Sequence, residues 1–136
     1  LPSPNFAKVL YSRGAGGGMG TFLKDMKTGS TEKLSISTFP EKCAWREEPS
    51  RALYCGVPMN IPRGEYPDTW YRGETTFSDT FWQIDTENNA LEQLARPETE
   101  TREAVDVTHP FLSKNGAFLF FINKKDSSLW SLRVGI

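Results

Sequence analysis

The sequence predicts an all-β fold, an array of about three four-stranded antiparallel sheets. Three observations carry this. The segment from His109 to Val134 alternates short apolar runs with two polar turns. The same pattern recurs upstream, without a gap, when the chain is slid by 66 residues, and a further copy lies 43 residues before that one. Units of about four strands, recurring every 40–50 residues or so, have the spacing of β-propeller blades.

Taken in order, residues 1–7 read as the end of a strand followed by a turn, and Lys8 to Ser12 as a strand. Arg13 to Gly20 holds five glycines. A phosphate-binding loop would need Lys-Ser or Lys-Thr after the last glycine and then a helix. Here Gly20 leads into Thr21-Phe22-Leu23, a strand pattern, so a flexible turn is expected instead. Thr21 to Asp25 and Thr31 to Ser35 complete the first unit, about residues 1–38.

The second unit spans about residues 39–104. Its strands are expected near Phe39 to Arg46, Arg51 to Val57, Phe77 to Asp85 and Leu91 to Ala95. Between the second and third lies Pro58 to Gly73, with three prolines, three aromatics and two arginines in sixteen residues. Proline restricts the unfolded chain and exposed aromatic rings are costly, so this long loop is expected to be ordered. Arg96 to Ala104 is polar and charged, and reads as a connection with a strand or a helical turn.

The third unit, about residues 105–136, lacks a fourth strand. His109 to Leu112 is its first. Ser113-Lys114-Asn115-Gly116 is a turn, because Asn-Gly accepts the positive φ of tight hairpins. Ala117 to Asn123 follows, apolar on both faces, and is expected to be buried on both. Lys124 to Ser127 turns the chain into Ser128 to Val134, with Trp130 and Leu132 on one face and Leu129 on the other.

Pro110, Ser113, Gly116, Leu119, Phe121, Leu129 and Trp130 fill the pattern P-x-x-S-x-D-G-x-x-[IL]-x-[FY], then a turn, then [IL]-[WY]. This resembles the WD-like β-propeller repeat of TolB-like proteins and of prolyl-oligopeptidase propeller domains. Asn115 replaces the usual Asp. The middle copy departs further, with Glu47, Pro49 and Ser50 in the turn. The resemblance implies propeller blades and says little of function, since propellers host many activities. A closed propeller has about 4–8 blades. The incomplete end blades lead to the expectation of a fragment of a longer chain, or of a homo-oligomer in which another copy completes the propeller.

The 16 basic and 17 acidic residues give a net charge of −1. Such balance offers no footprint for nucleic acid or anionic membrane. No apolar run approaches the ~18 residues of a membrane span. In a regular hairpin centred on Pro49, Cys43 faces Cys55. A cross-strand disulfide and a pair of small packed thiols both fit that position. Two thiols and a single histidine make no recognisable metal set, and no cofactor is expected.

No catalytic constellation is evident. His109 is the only histidine, no Gly-x-Ser-x-Gly elbow occurs, and Asp68, Asp79 and Asp85 show no pairing by spacing. Turns between second and third strands should gather on one rim of the array, together with the connections between units. The glycine-rich segment, the long aromatic loop and Lys124-Lys125-Asp126 belong to the first class, and His109 and residues 96–104 to the second. A non-catalytic binding or scaffold module is therefore expected, in a bacterial envelope or surface protein, contacting a protein or peptide through that rim. Arg63, Tyr66, Trp70, Tyr71 and Arg72 are the expected contact residues, because aromatic and arginine side chains dominate interface energetics. The alternative is the propeller portion of a larger hydrolase whose catalytic residues lie elsewhere.

Overall fold

The computed structural model describes residues 1–47 and 51–135. The expected turn at Pro49-Ser50 lies outside the described residues. The fold is all-β. The first sheet contains β1 (Lys8–Ala15), β2 (Gly18–Asp25) and β3 (Thr31–Lys33), in that order. Residues 1–3 extend its inner edge: Pro2 bridges Val9, and the Leu10 amide donates to the Leu1 carbonyl at 2.9 Å. The second sheet is a four-stranded meander of β4 (Cys43–Trp45), β5 (Ala52–Pro58), β6 (Asp79–Asp85) and β7 (Ala90–Ala95). The third holds β8 (Val107–Leu112), β9 (Phe118–Asn123) and β10 (Ser128–Arg133), with β9 in the middle. All pairings are antiparallel. A 3-10 turn at Pro40–Lys42 precedes β4, and two single-turn helices, α1 (Asp68–Tyr71) and α2 (Pro97–Glu100), sit in the connections.

The glycine-rich segment differs from the expected flexible turn. Most of it is strand, with Ala15 paired to Gly18 and only Gly16 and Gly17 between them. Both take positive φ, 61° and 84°. A two-residue loop with that geometry matches the twist of its strands, and glycine adopts it without strain. The Ser113–Gly116 turn forms as expected. Asn115 Oδ1 accepts from the Ala117 amide at 3.1 Å, and Gly116 takes φ 70°. β8 starts two residues earlier than expected. His109, at φ 51°, and Pro110 form an irregularity in its pairing with β9.

The core lies between the sheets. Leu10, Leu23, Leu34 and Ile36 pack on Trp45, Leu53, Cys55, Val57 and Ile84. Tyr54, Phe81 and Ala95, from the second sheet, meet Val105, Val107, Leu119 and Phe121. The strand buried on both faces is therefore β5, all seven of whose residues are buried. β9 does not behave that way. Leu119, Phe121 and Asn123 are buried, whereas Phe118, Phe120 and Ile122 are exposed or half-buried. The reason is position: β5 has a sheet on either side and β9 has one. Packing also shifts the internal repeat by one residue in the first unit. The sequence alignment matches Leu10 with Leu53, but Leu10 faces forward to the second sheet and Leu53 faces back to the first. Tyr54, which faces the third sheet, is the true equivalent of Leu10. A one-residue slip exchanges the faces of a strand, so apolar matching on both faces hides it.

Candidate binding rim

The loop between β5 and β6 is ordered by its aromatic residues. Phe39, Tyr66, Trp70 and Phe77 form a buried cluster, with Ile61 and Met19 at its edge. Trp70 stacks on Phe39 with ring centroids 5.0 Å apart, and Phe77 lies 5.9 Å from both Phe39 and Tyr66. The Tyr66 hydroxyl donates to the Pro62 carbonyl, closing the front of the loop on itself. The Tyr66-Pro67 peptide is cis and leads directly into α1.

Neighbouring turns are fastened to this loop. The Gly64 amide donates to the Gly17 carbonyl at 2.8 Å, joining it to the β1–β2 hairpin. Gly14 lies so close to Tyr66 that a Cβ there would stand 2.4 Å from the Tyr66 carbonyl oxygen. From the third sheet, the Lys124 ammonium donates to the Trp70 carbonyl at 2.9 Å and sits 5.3 Å from the centre of its ring. One rim thus gathers the hairpin tip, the long loop and the β9–β10 turn. A cleft of about 480 Å³ runs between the hairpin tip and Arg63, Gly64, Glu65 and Tyr66. A second groove, about 860 Å³, lies away from this rim, between Leu1-Pro2, β4 and the β8–β9 turn.

The five expected contact residues divide. Tyr66 and Trp70 are 7% and 2% exposed and hold the loop down, so neither offers a surface to a partner. They pack inward because a loop of this length has no core of its own and borrows Phe39 and Phe77 to make one. Arg63, Tyr71 and Arg72 are exposed. The Tyr71 hydroxyl donates to Glu41, and partial burial followed by that carboxylate pushes its pKa up to about 12. Arg72 pairs with Glu74 at 2.9 Å, which holds the Glu74 carboxyl below its ordinary range. Cys43 and Cys55 are direct register partners, with sulfurs at a bonding distance of 2.11 Å.

Beneath the aromatic cluster lies a group that sequence reasoning missed. Lys42, Asp79 and Asp106 meet with their side chains 0%, 0% and 1% exposed. Lys42 Nζ donates to Asp79 Oδ2 at 2.5 Å, to Asp106 Oδ1 at 2.6 Å and to the Val107 carbonyl at 3.0 Å. The Trp70 indole N–H donates to Asp106 Oδ1 and Oδ2 at 3.0 and 3.1 Å. Burial pushes the Asp79 carboxyl up to about 6, against the pull of Lys42. The available signal was context. Lys42 directly precedes the apolar Cys43-Ala44-Trp45, Asp79 stands between Phe77 and Phe81, and Asp106 between two valines. A charge in such a setting is buried only when paired. Among the described residues, no group of three or more His, Cys, Asp or Glu side chains could hold a metal ion, and no helix is long and apolar enough to cross a membrane.

No protein-family model matches the chain, and no curated protein sequence does. Among solved structures it is similar to TolB from Acinetobacter baumannii, with a TM-score of 0.63 and 13% sequence identity. The match covers 99% of this chain and 30% of that one. At that identity the likeness is one of fold: the three stacked sheets are β-propeller blades of the TolB-like kind.

Proposed function

We propose that this chain is a non-catalytic binding or scaffold module, and that its rim contacts a protein or peptide partner. One observation carries the reading: turns from three blades are fastened into one rigid rim, with Arg63, Tyr71 and Arg72 standing out from it. Loops held on a rigid scaffold are where binding usually resides. A preordered loop loses less conformational freedom when a partner docks. The TolB-like fold is consistent with a protein partner. A bacterial envelope or surface location is part of the same proposal. It is supported by the opposed cysteines, since disulfides persist in oxidising compartments.

The open outer face of the third blade belongs to the proposal as well. Phe111 and Leu129 are 54% and 65% exposed there, beside half-buried Phe120. In the second blade, the positions matching Phe118 and Phe120 are Ala52 and Tyr54, which pack on the next blade. We assign the third blade's outer face the same role, met by further blades of a longer chain or by another copy.

The test of the rim is a triple variant, Arg63→Ala, Tyr71→Ala and Arg72→Ala, compared with the parent for capture of partners from a cell-envelope extract. Exposed substitutions leave the fold intact. Capture is expected to fall at least about tenfold, since interface anchors are worth ~1–2 kcal/mol each. Undiminished capture by the folded variant places the binding surface elsewhere.

A further inference from the structure

The Lys42–Asp79–Asp106 cluster joins three parts of the chain: the 3-10 turn before β4, the head of β6 and the segment entering β8. Lys42 spends all three of its N–H donors within it. Asp106 is fully served. Besides Lys42 it accepts the Trp70 indole N–H and the Phe77 amide, the latter at 3.2 Å. Asp79 is served on one side only. Its Oδ2 accepts from Lys42 and from the Val107 amide at 2.7 Å, while Oδ1 is buried with no partner among the described residues. Two carboxylates facing one ammonium leave a single negative charge in a place shielded from bulk solvent. Such a charge is strongly disfavoured.

We propose that the cluster is a proton-loaded clasp: in the folded chain Asp79 holds a proton on Oδ1 beneath the seated loop that carries Trp70, so that mild acidification fastens that loop more firmly. The loop is coupled through Asp106 and Lys42: Trp70 and Phe77 both donate to Asp106, and Lys42 bridges Asp106 to Asp79.

The surroundings leave few competing charges. Lys42 faces Asp79 from the 3-10 turn and Asp106 faces it from the approach to β8. β5 offers Gly56, which carries no charge and where an added Cβ would stand 3.3 Å from Asp79 Oδ2. The loop presents Trp70 and Phe77. Lys124, from the β9–β10 turn, sits over the Trp70 ring. Next along the chain, Ser78 donates to Glu98 of α2 at 2.6 Å.

Burial, opposed by Lys42, raises the Asp79 carboxyl from an ordinary 3.8 to about 6 in the folded chain. The folded chain therefore holds the proton at a pH where the unfolded chain has released it. The resulting stabilisation is complete below about 3.8 and is lost as pH rises through about 6. A difference of about two pKa units corresponds to roughly a hundredfold in the folding equilibrium. Asp25, Glu74 and Asp126 have lowered values and act in the opposite sense at lower pH, so a matched variant is needed.

Two measurements test the clasp. The first follows the Asp79 carboxyl carbon and the Trp70 indole N–H of the intact chain by NMR as pH is varied. The indole signal is assigned as the one missing from Trp70→Phe. Both are expected to move in one step within about a unit of pH 6. An Asp79 that ionises in the ordinary carboxylate range, or an indole signal that stays still while Asp79 titrates, overturns the proposal. The second compares urea unfolding of the parent with Asp79→Asn, whose amide imitates the protonated acid. The ratio of folding constants, parent over variant, is expected to fall about a hundredfold between about pH 4 and pH 8. A constant ratio overturns the proposal, and if the variant does not fold, the carboxyl titration decides alone.

Discussion

Replacing Trp70 by Phe separates a structural loop from a surface anchor. The Trp70 ring is 2% exposed and stacks on Phe39 at 5.0 Å. Phenylalanine keeps most of that stacking. It loses the indole N–H, which donates to both oxygens of Asp106 at 3.0 and 3.1 Å. A hydrogen bond to a charged group contributes ~1.5–3 kcal/mol, and the smaller ring leaves a void costing ~1 kcal/mol. The expected loss is therefore about 2.5–4 kcal/mol, out of the ~5–15 kcal/mol that such a chain has in total. Urea unfolding, followed by circular dichroism at fixed pH, measures it as a lower midpoint with unchanged slope. Tyr71→Ala is the control. Tyr71 is 55% exposed, and its replacement is expected to cost less than ~1 kcal/mol. A Trp70→Phe penalty below ~0.5 kcal/mol, or one no larger than that of Tyr71→Ala, would refute the keystone role of the indole.

Two further outcomes are expected. Alkylation without reductant, followed by mass spectrometry, should leave Cys43 and Cys55 unmodified in protein purified from an oxidising compartment; two alkylated thiols there would exclude the disulfide. Light scattering at micromolar concentration should give a mass above the 15.4 kDa of one chain if copies cover each other's outer faces. Leu129→Asp should then restore the monomer, because a charge in an apolar interface is costly, whereas a stable parent monomer rules out covering by copies.

The fold was legible because strand periodicity and turn chemistry agree along most of the chain. The 66-residue repeat aligns Leu53 with Leu119 and Cys55 with Phe121, and each pair does face the preceding sheet. In the first unit the same method slipped by one residue. Lys8 to Ser12 carries apolar residues on both faces, so composition alone does not say which face looks forward. The rim was legible as a set of loops. Which residues point outward was not, because tryptophan and tyrosine serve equally as interface anchors and as the core of a long loop. The deciding fact was tertiary: Phe39 and Phe77 stand where the loop folds down. The charge cluster was hidden for a related reason, since its members lie 37 and 64 residues apart in the chain.

The order of the long loop also limits how it can act. Burying Tyr66 and Trp70 contributes ~1.5–3 kcal/mol each, and the ring contacts ~0.5–1.5 kcal/mol more. Lengthening a loop is comparatively cheap, at ~0.6 kcal/mol per doubling, so the rings decide the balance and the loop stays seated. Tyr71 and Arg72 follow Trp70 directly, in the same helical turn and its cap. Their side chains are presented to solvent only in the orientation that the buried indole sets. A change large enough to shift the indole is expected to carry the two exposed residues with it, since they share its turn. A partner docked on Tyr71 and Arg72, as proposed, would then respond to the state of a charge cluster it never contacts.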